Sequence, residues 1–245
     1  MTATAAPSVA TTGPTARSTL ARTARLTGIA YLGILVTGIF AEFVVRMGMV
    51  VEGDAAATAA NVADATGLFR AGIAADVLMI SLDVGVAVGL YLLLRHAHHG
   101  LALLAAALRM VQAAVLGANL LTMATALGAA GGGAPDTGVV LAALEVHSLV
   151  YDLGLVFFGM ACLVLGHLLV VSRLVPRIVG RGLTATGVVY LVGSFTVLLA
   201  PGAAATLDPM YGIAVLAEVA LAGWLAFRGV DTSTARRAPR VPAAA

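Results

Sequence analysis

Two pairs of acids stand inside stretches that are otherwise apolar. Asp76 and Asp83 are seven apart in DVLMISLDVGVAVG, and Glu145 and Asp152 are seven apart in EVHSLVYDLGLVFFG. On a helix a seven-residue step returns to nearly the same face, so each pair lines one stripe, the second with Ser148 between its members. Glu42 and Glu218 lie in further apolar runs. Arg109 is the only arginine well inside one, with Gln112 a turn later and Asn119 seven beyond Gln112. An ionised side chain at the centre of a membrane helix costs roughly 2.5 to 3.5 kcal/mol on insertion scales, so these groups need a partner, a proton or water. The expectation is an interior polar seam of Asp76, Asp83, Arg109, Gln112, Glu145, Ser148, Asp152 and Glu218, with Arg109 as counter-charge. One arginine does not neutralise five or six carboxylates. The seam therefore suits a proton or cation path, or a structural core in which neutral acids donate hydrogen bonds.

A second set, Glu42, Arg46, Arg70 and His147, lies toward the outer ends of the apolar runs, as do Asp76 and Glu145. Their convergence on one pocket is what an enzyme would require. His147 lies about 200° around its helix from Glu145, near the face of Tyr151, so Glu145, His147 and Asp152 do not form one ligand cluster. Three histidines in RHAHHG, without Cys or acid beside them, are a weak metal signal. The lone Cys162 lies in an apolar run, which excludes a disulfide framework and a Cys-based metal site. The glycine run 131–133 lacks the lysine of a phosphate loop, and no GxSxG or HExxH occurs. No metal and no cofactor is expected.

The elements that must hold these residues follow from composition. Of 245 residues, 60% are hydrophobic and 11% charged, against about 25% charged in a soluble domain. Mean hydropathy is +1.02. The chain reads as an all-α integral membrane protein with six spans, about 26–46, 68–94, 101–127, 139–172, 183–200 and 210–228, each long enough for a hydrocarbon core of roughly 30 Å. They form a membrane domain over 23–230, between tails 1–22 and 231–245 expected to be disordered. The arginines set its orientation. With the N-terminus in the cytoplasm, Arg17, Arg22, Arg25, Arg95, Arg173, Arg177, Arg181, Arg228, Arg236, Arg237 and Arg240 fall inside, and only Arg46 and Arg70 outside. Both termini are then cytoplasmic, in a multi-pass protein of the cell membrane. Arginines at span ends, with no basic surface interleaved with aromatics, exclude nucleic acid as a partner and leave the lipid bilayer. The loop GMVVEGDAAATAANVADATG places Asp54 as an N-cap before a short helix, either a lid over the outer mouth or an interfacial connector.

The acid pairs of the second and fourth spans echo one another, and TGIAYL at Thr27 is echoed by TGVVYL at Thr186. The matches join spans that run in the same direction, which suggests three helical-hairpin repeats. Gly85 and Gly89, and Gly154, Gly159 and Gly166, suit close helix packing within the chain or in a homo-oligomer.

In their order and spacing, GIFAEFVVR, GDAAATAANV, LFRAGIAADVLM, LRMVQAAVLGANLL, HSLVYDLGLVFFG, SRLVPRIVG and TGVVYLVGS resemble the bacterial membrane proteins grouped as domain-of-unknown-function family 4386. The resemblance covers nearly everything but the tails. It implies a multi-pass helical membrane protein and brings no established activity. Glu42, Arg46, Arg70, Arg109, Gln112, His147, Ser148, Phe157, Phe158, Gly159 and Pro176 match recurring positions of the family's pattern; Asp152 is less characteristic of it, and the HAHH loop lies outside it. The leading reading is a membrane protein whose polar seam binds or transports a proton, cation or small solute. The alternatives are a structural or assembly role without transport, and a membrane-embedded enzyme with an outer-side site.

Overall fold

The computed structural model describes residues 14–131 and 134–230. Helix α1 (Pro14–Ile39) passes into a π-helical stretch, Phe40–Arg46, and a last short turn, α2 (Met47–Met49). Helix α3 (Ala55–Asp64) is short, and the long helices α4 (Thr66–Leu94), α5 (His99–Ala130), α6 (Thr137–Ser172) and α7 (Arg177–Leu199) follow. A 3-10 turn, Pro201–Leu207, leads to α8 (Asp208–Gly223), which ends in a π turn, Trp224–Arg228. Six segments are long and apolar enough to cross a bilayer: Ser18–Met49, Thr66–Leu94, His99–Ala130, Thr137–Ser172, Arg177–Leu199 and Pro209–Arg228. A lipid environment follows from them, because only there are so many exposed aliphatic side chains matched by their solvent.

Several helices start before their apolar runs because polar side chains cap them. Asp54 accepts from the Ala57 N–H at 2.8 Å, His98 from Leu101 at 3.1 Å and Asp136 from Val139 at 3.1 Å. The cap is the role of His98 in the RHAHHG segment. Helix α1 begins at Pro14, so residues 14–22, expected in the tail, are helical; proline suits the first turn, where its missing N–H has no partner to lose. Residues 1–13, with the rest of that tail, Gly132 and Gly133, and the tail 231–245 with Arg236, Arg237 and Arg240 lie outside the described residues.

The six long helices form a ring in chain order. Each packs on the next, α1 on α4, then α5, α6, α7 and α8, and α8 with its π turn returns to α1. Glycines set the closest approaches. A Cβ at Gly159 of α6 would lie 3.0 Å from the Gly187 carbonyl oxygen of α7, and one at Gly28 of α1 would lie 2.3 Å from the Ala226 backbone nitrogen. Gly89 faces Thr27, Gly154 faces Leu116 and Gly166 faces Gly180 and Thr184, so these glycines serve packing inside the chain; Gly85 meets open space. One apolar cluster, around Tyr31, Leu90, Leu165, Leu183 and Leu225, fills the end where α8 closes on α1. A second, around Val45, Val62, Phe69, Met123 and Val140, seats α3 on the opposite end. Between them the helices line a cavity that is open to the outside.

Candidate functional site

Two buried arginines organise the interior. Arg109 of α5 is 1% exposed and pairs through Nη2 with Oδ1 of Asp83 on α4. Its guanidinium carbon lies 5.2 Å from the ring centroid of Tyr31 and 4.9 Å from that of Phe158, so an aromatic ring from α1 and one from α6 flank the cation. Arg46 is the second. Its Nη1 donates to Oδ2 of Asp76 at 2.6 Å and its Nε to Oε2 of Glu42 at 2.7 Å. Arg109 was expected to be the counter-charge for the whole seam, and Arg46 was expected both as an outer topology charge and in the outer set with Glu42, Arg70 and His147; Arg46 is buried and takes Asp76 as well as Glu42. A regular helix would bring Arg46 round beneath Ile39, seven residues earlier, whereas the wider i→i+5 winding of Phe40–Arg46 carries it to α4.

Glu218 is buried near the middle of the ring, and tyrosines rather than an arginine bind it. The Tyr31 hydroxyl donates to Oε2 at 2.9 Å and the Tyr190 hydroxyl to Oε1 at 2.6 Å. Sequence reasoning missed both tyrosines, although each occupies the same place in the echoed strings TGIAYL and TGVVYL. The Tyr190 ring also packs on Phe158 and Tyr211, with centroids 5.4 and 5.8 Å away.

His147 is buried. Its Nδ1 lies 3.2 Å from the Thr122 hydroxyl, and its backbone carbonyl accepts from the Asn119 side chain at 2.9 Å. Its ring is 6.2 Å from that of Tyr151. Both were expected to face away from the acid stripe of α6. They line the same cavity as Ser148 and Asp152, because the inward face of α6 is wide: Leu144, His147, Ser148, Tyr151, Asp152, Leu155 and Phe158 all reach it.

The cavity has a volume of about 710 Å³. Glu42, Arg46, Asp83, Arg109, Gln112, His147, Ser148, Asp152 and Glu218 line it, on walls made largely of Ile34, Leu35, Ile80, Leu116, Leu155 and other apolar residues. Of the expected seam, Glu145 is not in the lining: it stands on the same edge of α6 as Asp152, two turns nearer the helix start, and is exposed. Asp76 is buried behind Arg46 and borders a separate small pocket with Asn119, His147 and Tyr151. Of the outer set, Glu42, Arg46 and His147 reach the cavity, while Arg70 is exposed away from it. Helix α3 contributes nothing to the lining; it covers the ends of α5 and α6 instead of the mouth. Asp76 Oδ1, Asp83 Oδ2, Arg109 Nε and Nη1, Gln112 Oε1 and His147 Nε2 are buried without a hydrogen-bond partner among the described residues.

The model of a family described as a domain of unknown function, DUF4386, matches residues 26–229, which takes in five spans whole and the first from Leu26 onward. The chain belongs to the DUF4386 family. The match takes in every residue that lines the cavity, so the cavity lies within the DUF4386 domain and not in an added segment. No curated protein and no solved structure matches the chain.

Proposed function

We propose that this chain is a solute-binding membrane protein, a carrier, which admits a small, partly apolar solute to its cavity from the end opposite the two termini. The observation that carries this reading is one cavity of about 710 Å³ that gathers Asp83, Arg109, Gln112 and Glu218 at its inner end. Small-molecule sites typically measure about 300 to 1,000 Å³, with apolar walls and a few convergent polar groups. Ionisable residues inside membrane bundles mark solute and ion paths by default. Access from one end is supported by the gradient of exposure: Ser148 and half of the Glu42 side chain are open, whereas Asp83, Arg109 and Glu218 are buried.

We further propose that the termini are cytoplasmic and the mouth faces outward across the cell membrane. With Arg46 buried in the bundle, Arg70 is the one exposed arginine at the mouth end among the described residues, which supports the charge bias. The test uses single cysteines. In a Cys162→Ala background, cysteines at Gln112, Ser148 and Asp152 should react with a membrane-impermeant thiol reagent added outside intact cells, whereas one at Leu121, exposed on the outer face of α5, should not. Unreactive Ser148→Cys and Asp152→Cys would mean a dry interior, and the structural reading would then replace this one.

A further inference from the structure

We infer that the solute is an organic cation, a lipophilic amine or ammonium ion; this rests on the solute-binding reading above. Charge is the first argument. The carboxylates that line the cavity are Glu42, Asp83, Asp152 and Glu218, and the guanidinium groups are Arg46 and Arg109. Arg109 is taken by Asp83, and Arg46 is shared between Glu42 and Asp76. Asp152 and Glu218 are left without an ion pair among the described residues, so wherever they ionise an anionic solute meets like charge and a cation opposite charge.

The unfilled hydrogen-bond positions are the second argument. Asp83 Oδ2 and Gln112 Oε1 are acceptors without partners among the described residues, on residues only 5% and 8% exposed, and both residues line the cavity. A buried acceptor left unpaired costs about 1 to 3 kcal/mol, so an N–H donor from the solute is stabilising there. Arg109 offers Nε–H and Nη1–H at the same end. Its charge is already matched by Asp83 and it lies beside the Tyr31 and Phe158 rings, so these N–H groups suit a neutral oxygen of the solute better than a second anion.

The walls are the third argument. Phe43, Tyr151, Phe158, Tyr190 and Tyr211 all line the cavity, and the contacts of Phe158 and Tyr211 with Tyr190 make a continuous aromatic surface beside Glu218. The negative faces of aromatic rings attract ammonium groups, and their area holds an apolar body.

Tetraphenylphosphonium and tetraphenylborate have nearly the same shape and opposite charge. Equilibrium dialysis of the detergent-purified full chain should show saturable binding of tetraphenylphosphonium at least tenfold tighter than that of tetraphenylborate. Asp152→Asn and Glu218→Gln should each weaken it about tenfold. Asp152 makes no ion pair among the described residues and is only partly buried, so its variant keeps the test valid if Glu218→Gln misfolds. Tetraphenylborate binding as tightly as the cation, or cation binding unchanged in Asp152→Asn, overturns the assignment and leaves the solute-binding reading standing. Saturable binding of neither ion also overturns it, and cysteine labelling then decides the broader reading on its own.

Discussion

Arg109 shows what a buried charge requires. It has an acid as partner, two aromatic rings beside its guanidinium, and almost no contact with solvent. Removing one member of such a pair strands the other, which costs about 3–5 kcal/mol, whereas replacing both by apolar groups of similar volume is often close to neutral. Arg109→Met should therefore lower stability by about 3–5 kcal/mol, and adding Asp83→Leu should recover most of the loss, as read from unfolding in detergent. A double variant as unstable as the single one would show that the pair is not the energetic unit. The ionisable members of the site were legible because charge stands out in apolar sequence. Tyr31 and Tyr190 were not, because a tyrosine in a membrane helix usually anchors at the interface. Only their shared place in the two echoed strings marked them, and their common partner, Glu218, lies 187 residues from one and 28 from the other.

At the scale of elements, the six spans were readable because bilayer thickness fixes the length of an apolar run. Their pairing was not, because glycine in a membrane helix serves a contact in the chain and a contact between chains alike. Gly187 and Gly85 separate the two cases. A Cβ at Gly187 would sit 2.7 Å from the Gly159 carbonyl oxygen, whereas one at Gly85 meets nothing within 4 Å. Gly187→Ala should cost about 1–3 kcal/mol through forced separation of α6 and α7. Gly85→Ala should be neutral or stabilising by up to about 1 kcal/mol, since alanine is the better helix former. Paired thermal melts check this, and equal effects would reject the proposed packing. The π winding of Phe40–Arg46 left no mark in the residue pattern. Arg46 read as a topology charge and as a member of the outer set with Glu42, but its pairing with Asp76 one helix away, which that winding permits, was not legible.

For the whole molecule, the arginine count and the six spans predict that a fluorescent protein fused after Ala245 glows in the cytoplasm and that alkaline phosphatase at the same place is silent. The reverse result would turn the cavity mouth inward. Six spans were accessible from composition, but a ring around a cavity was not: an apolar stripe looks alike whether it faces a neighbour or an open space.

The ring follows chain order, and its last joint is made by the first and last spans. No wall of the cavity therefore depends on where the polypeptide happens to start. A permuted gene that joins residue 245 to residue 1 and opens between Arg95 and His96 would insert the spans in the order three, four, five, six, one, two. The shift is an even number of spans, so every helix keeps its direction and the new ends stay on the original side. Such a permutant should assemble the same enclosure, with Tyr31 reaching Glu218 across what has become an interior connection.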